Sequence, residues 1–267
     1  MLRLTLLTSA VAIASRTLQV WGAKRGLGWP SDNSLSTRRC AGSRNSTRFF
    51  QILIPPYSNP PRSTGSMQDW GQTNTAANDE FPFYAMQWNG GGIQNLASAV
   101  ASQGVTVVLG FNEPDNAGEA NMTPADAATL WKQYIQPLAA DGVTLVSPAV
   151  TYGGSGLPWM DQFLGNCTAC TVDKIAIHWY GGWTGDLEPF VASFQKYDKP
   201  IWLTEFGLSW DAGADSYEEF LPLALEYLDG NAYVEKYAFF GAFHSGGAED
   251  MINSDGQLTA LGQIYVS

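Results

Sequence analysis

Positive charge is nearly absent from most of this sequence. Of its 14 Lys and Arg, nine lie within residues 1–65, leaving five lysines and no arginine over residues 66–267 against 24 acids. The first block carries 9 − 1 = +8 and the rest 5 − 24 = −19, which together give the net −11 of the 267-residue chain. Binding nucleic acid depends on releasing counterions to a basic face, so nucleic acid is excluded as a partner. Histidine is equally scarce: His178 and His244 are the only two, neither sits in HExxH or another spaced set, and no metal is expected. There is no GxSxG elbow and no Gly-rich loop running into Lys-Ser/Thr, which sets aside serine-hydrolase and nucleotide chemistry. No cofactor is expected. Apart from residues 4–14, no apolar run approaches the ~20 residues that a membrane span needs, so no span is expected and the mature protein should be a soluble monomer.

Cysteine numbers three. Cys167 and Cys170 are spaced CxxC, which fits redox chemistry, half a zinc site or a small disulfide loop. A second ligand pair and a thioredoxin-like context are both missing, so a structural disulfide between them is the expectation, with Cys40 left over. Arg3 followed by the apolar stretch to Ala12-Ile13-Ala14 reads as a secretory signal peptide over residues 1–14. Three sequons, at Asn45, Asn121 and Asn166, agree with a secreted or cell-wall glycoprotein.

Aromatic residues, by contrast, are plentiful at 13 %, with 10 Trp and 11 Tyr. Such rings fill cores, but in an acidic protein they also suit a surface that stacks on flat ligands such as sugar rings. Short apolar runs alternate with amphipathic stretches. Strands are predicted over 26–29, 83–88, 105–111, 145–148, 174–179, 201–206 and 237–243. Between them lie helices with readable ends, one opening at Thr123-Pro124 with Asp126, another at Ser216 with Glu219. This alternation predicts an α/β fold of the (β/α)8 TIM type, a single domain over residues 24–267. Seven strands are visible, and the eighth should lie between residues 30 and 80. There the second strand is doubtful, because residues 34–68 are rich in Arg, Ser and Pro and lack a period outside 49–54. They read as an atypical, disordered or misannotated insertion.

Two acids stand at strand ends. The run 105–111 leads into Asn112-Glu113-Pro114-Asp115, and the run 201–204 into Glu205-Phe206-Gly207. In a barrel the carboxyl ends of strands face the active site. Two carboxylates brought there are what glycosidic cleavage needs, one to protonate the leaving oxygen and one to attack or activate water. Strand-end acids also cap helices or pair with cations, although five lysines make pairing a poor general explanation.

The ordered motifs Gly110-Phe111-Asn112-Glu113-Pro114-Asp115, Ser147-Pro148-Ala149, Ala176 to Gly181 (AIHWYG) and Trp202 to Gly207 (WLTEFG), with Lys24 to Pro30 (KRGLGWP) and Asp69 to Gln72 (DWGQ), resemble glycoside hydrolase family 128. The likeness runs over residues 69–267 and 24–33. It implies a secreted retaining endo-β-1,3-glucanase acting on β-glucan. In it Glu113 matches the acid/base, Glu205 the nucleophile, and Asn112 the residue that hydrogen-bonds the sugar 2-hydroxyl. His178, Trp179 and Tyr180 match a triplet in the substrate cleft. His178 by itself reads equally as a satisfied core histidine. Trp179, Tyr180, Trp210, Trp88, Trp70 and Trp29 are each candidates for core or cleft, and about half are expected in the cleft. The acid must hold its proton while the nucleophile is ionised, so the two environments should separate their pKa values. For a retaining reaction the carboxyl groups should lie about 5–5.5 Å apart. Two other readings use the same residues: a non-catalytic wall-glycan-binding protein, and a retaining glycosidase for another β-linked polysaccharide.

Overall fold

The computed structural model describes residues 25–29, 67–74, 82–209, 214–240, 246–254 and 257–267; of residues 25–29 and 67–69 it describes the backbone. The fold is mixed α/β, with parallel strands and intervening helices. The strands are β1 (Arg25–Trp29), β2 (Met67–Asp69), β3 (Phe83–Met86), β4 (Val107–Leu109), β5 (Thr144–Val146), β6 (Ile175–Gly181), β7 (Ile201–Leu208) and β8 (Val234–Phe239). They form one parallel row in the order β5-β4-β3-β2-β1-β8-β7-β6. Bridges Val146↔Lys174 and Val150↔Ile177 link β5 to β6, the two ends of that row.

The second strand is therefore found, and the doubt over it is removed. It is Met67–Asp69, pairing with β1 on one side and β3 on the other. It escapes a periodicity search because three residues hold barely one alternation. The stretch read as an insertion, 34–68, thus ends inside the sheet, while residues 30–66, including 49–54, lie outside the described residues.

Alternation along the strands sorts the apolar residues into two layers. Met86, Val107, Leu109, Val146, Ala176 and Trp202 form one cluster, with Trp70, Tyr84 and Trp88 packed on it. Their sequence neighbours Ala85, Val108, Leu145, Ile175, Ile177 and Leu203 belong to a larger cluster that includes the helices. The described helices are α1 (Leu96–Gln103), α2 (Pro124–Leu130), α3 (Gly156–Asn166), α4 (Thr184–Ser193), α5 (Ala214–Gly230) and α6 (Ala260–Val266). Thr123 caps α2 by accepting from the Asp126 N–H, with Pro124 in the first turn, as the sequence predicts. The helix then widens to a π turn over Trp131–Ile135 and tightens over Gln136–Asp141, where Pro137 cannot donate to the ladder. Ser216 is not a cap, since α5 begins two residues earlier. Cys167 and Cys170 form a disulfide just after α3. Among the described residues no helix is long and apolar enough to cross a membrane.

Candidate active site

Glu113 is set by the approach of two strands. Gly110 N–H donates to Val146 O, Ala149 N–H to Phe111 O and Glu113 N–H to Ala149 O, so the chain beyond β4 stays zipped to that beyond β5. Side chains at Gly110 are forbidden there, because a Cβ would lie 2.7 Å from Pro148 N and 2.9 Å from the Trp131 ring. Glu113 then takes φ +43°, in the left-handed region that costs a non-glycine residue roughly 1–2 kcal/mol. Four contacts hold the turn: Asn116 N–H donates to Glu113 O, and the Asp115 carboxylate accepts from Thr151 N–H, from Thr151 Oγ1 and from Ser155 Oγ.

Glu205 reaches the same place through a β-bulge. Ile177 pairs with Leu203, but the next residue, His178, pairs with Glu205, so β7 carries one extra residue at Thr204. Partners in register point to the same side, and a bulge re-aims the side chains beyond it. The extra residue puts Glu205 beside His178, where strict alternation would have put Thr204.

The groups converge closely. His178 Nδ1 lies 2.9 Å from Glu113 Oε1 and 3.6 Å from Glu205 Oε2. One oxygen of each glutamate and a His178 nitrogen are all within 4.8 Å of one another. Tyr180 Oη donates to Glu205 Oε2 and Trp70 Nε1 to Glu205 Oε1, both at 2.7 Å, and Asn116 Nδ2 donates to Glu113 Oε2 at 2.8 Å. The two glutamates and His178 also have the donor types a divalent cation would use, but Nδ1 and the carboxylate oxygens already bond one another or neighbouring donors.

Electrostatically the site departs from expectation. Burial pushes the Glu113 carboxyl up, but the hydrogen bond and charge of His178, with the Asn116 amide, outweigh it and hold the group below the usual glutamate value. Burial pushes the His178 imidazole down, yet the Glu205 charge and the hydrogen bond and charge of Glu113 prevail and raise it. The two shifts run in opposite directions, so the cluster disfavours a proton on Glu113 and favours one on His178.

Asn112, Glu113, His178, Tyr180, Glu205 and Trp70 are brought together as the sequence proposed. Trp88 is half-buried, packs on the inner cluster and accepts the Asn112 N–H at its carbonyl. Trp179 is a correction: it is fully buried and stacks on Phe220 of α5, 5.4 Å between rings at 14°. Lying between His178 and Tyr180 on a strand, it must face the helices. The Trp29 side chain and Trp210 lie outside the described residues. Asn116 and Glu119 were missed. Both belong to the turn after Glu113, and the turn-forming composition Pro-Asp-Asn-Ala-Gly is the signal that a close return of the chain follows.

The family model described as glycosyl hydrolase catalytic core matches residues 56–265. Alkali-sensitive linkage protein 1 of Schizosaccharomyces pombe is 34 % identical over 212 residues, 74 % of this chain but only 39 % of that relative's length. Among solved structures, a family 128 (subgroup II) endo-β-1,3-glucanase from Sorangium cellulosum is 30 % identical with a TM-score of 0.72, over 91 % of this chain and 98 % of that one. A family 128 (subgroup III) curdlan-specific exo-β-1,3-glucanase from Blastomyces gilchristii, in complex with glucose, is 28 % identical with a TM-score of 0.72, over 92 % and 99 %.

Proposed function

Given that the chain belongs to the glycosyl hydrolase catalytic core family, within glycoside hydrolase family 128, we propose that it is a retaining endo-β-1,3-glucanase on a (β/α)8 barrel. The observation that carries this reading is the separation of the two glutamates, oxygen to oxygen no more than 4.8 Å. An inverting site needs roughly 6.5–9.5 Å between carboxyl groups to admit a water, whereas a retaining one needs about 5–5.5 Å. In this reading a Glu205 oxygen attacks C1, the C1–O bond to the leaving sugar breaks, and Glu113 delivers a proton to the departing oxygen. Water then attacks C1 as Glu113 takes its proton back, freeing Glu205. The proton comes to Glu113 Oε1 from His178 Nδ1 along their 2.9 Å contact, as the sugar covers the site. Tyr180 and Trp70 steady the Glu205 anion before attack. Family relatives with both endo and exo action supply the linkage, and the signal-like N-terminus and the Cys167–Cys170 bridge support a secreted or wall-associated, β-glucan-degrading enzyme.

The test is chemical rescue. Glu205→Ala should abolish turnover of an activated β-glucoside, and azide should restore it with formation of the α-glycosyl azide, since the small anion enters from the vacated face opposite the leaving group. A β-azide would make Glu205 the acid/base instead. The lowered Glu113 carboxyl, which disfavours the acid role, favours one rival, glycan binding without turnover. That rival gives retention on insoluble β-glucan and no reducing sugar from laminarin.

A further inference from the structure

We propose that Glu119 is a positioning residue of this site, whose carboxylate fixes the side-chain amide of Asn112 in one orientation. The inference rests on the glucanase reading and adds a residue to it. Asn112 Nδ2 donates to Glu119 Oε2 at 3.1 Å. Asn112 itself is buried, and its Oδ1 meets no hydrogen-bond partner among the described residues. Turning the amide over would trade Nδ2 for Oδ1 against a carboxylate, which can only accept, and would set two acceptors face to face. An ionised Glu119 thus selects the orientation that carries Nδ2 on its own side and turns Oδ1 into the protein. One Nδ2 hydrogen is used by Glu119. The second is left for a sugar hydroxyl beside the carbon that Glu205 attacks.

The loop is built to hold Glu119 there. Glu119 N–H donates to Asn116 O, Ala120 N–H to Asn112 O and Met122 N–H to Pro114 O, while Gly118 N–H is caught by Asn116 Oδ1. The turn after Glu113 therefore makes two clamps of opposite sense, the Asn116 amide on the Glu113 carboxylate and the Glu119 carboxylate on the Asn112 amide. Charge alone does not explain the placement. Among the described residues no lysine pairs with Glu119, and the charged groups that face it are Glu113, Glu205 and His178. Burial and the Glu113 charge push its carboxyl up, against the Asn112 bond that pulls it down. A carboxylate in like-charged surroundings is held by the bond it accepts.

Glu119→Ala and Glu119→Gln are compared with wild type on an aryl β-glucoside and on its 2-deoxy counterpart. Alanine should lower kcat about 10-fold on the parent glucoside, with KM changed less than about 2-fold, and should leave the 2-deoxy substrate nearly unaffected. Glutamine should fall between, because its oxygen still accepts from Nδ2 while its NH2 also tolerates the reversed amide. In side-chain amide NMR spectra, the Asn112 Nδ2 hydrogens should lose exchange protection in the alanine variant at unchanged thermal midpoint. Equal losses on both substrates, or no loss on either, would overturn the proposal, as would unaltered Asn112 amide exchange. A wild type that releases no reducing sugar from laminarin removes the glucanase reading, and the amide exchange then still decides whether Glu119 holds Asn112.

Discussion

In the proposed reaction Glu113 has to release a proton from surroundings that favour its anion. Burial alone would raise its pKa, and His178 reverses the sign. Two groups 2.9 Å apart titrate as a pair, so in the proposed reaction the alkaline limb of kcat/KM reports loss of a proton shared between the raised imidazole and the lowered carboxyl. His178→Asn should therefore move that limb to lower pH, toward the carboxylate range, in a profile measured on laminarin; an unmoved limb would mean that Glu113 keeps the proton unaided. Glu113→Gln should reduce laminarin turnover ~10²–10⁴-fold while an aryl glucoside with a good leaving group still releases its phenol in a burst, because that departure needs little protonation. Much of this site is legible in the sequence, since Glu113, Glu205 and Asn112 each end an apolar run. The error at Trp179 arises because a motif names three consecutive residues, whereas a strand points only alternate ones inward.

At the level of elements, the arrangement depends on backbone contacts that carry little sequence signature. Nothing in Leu203-Thr204-Glu205 announces a bulge, yet without the extra residue Glu205 would not stand beside His178. β2 is equally mute: its three residues draw their pairing from the finished strands on either side, a tertiary effect that local composition does not encode. Gly110 is the opposite case, a glycine whose need is visible once β4 and β5 are in place. Gly110→Ala should push β5 away, destabilising the protein by about 1–3 kcal/mol in urea unfolding and lowering kcat through displacement of Glu113. A variant of native stability and activity would show that the Pro148 and Trp131 contacts yield without cost.

For the whole molecule, the shifted groups define a pH window. Glu113 and Glu235 are held below the ordinary glutamate value, the latter against burial by Trp202 and Lys174, so their contributions to stability are complete above ~4.3 and fade as pH falls through their lower folded values. His178 is raised, so its contribution is complete below ~6.5 and disappears as pH rises through its higher folded value. Unfolding midpoints across a pH series should accordingly be highest on the mildly acidic side, and His178→Asn should flatten the alkaline decline. One indole gives the intact enzyme a clock of its own. Trp70 donates to Glu205, the carboxylate that the proposed double displacement converts to an ester, so in that reading its emission follows the charge on that oxygen. Rapid mixing with an activated β-glucosyl fluoride should produce a tryptophan transient at the rate of glycosylation, one that Trp70→Phe removes while the other nine of the ten indoles still glow. The covalent step can then be timed without any dye attached to protein or substrate.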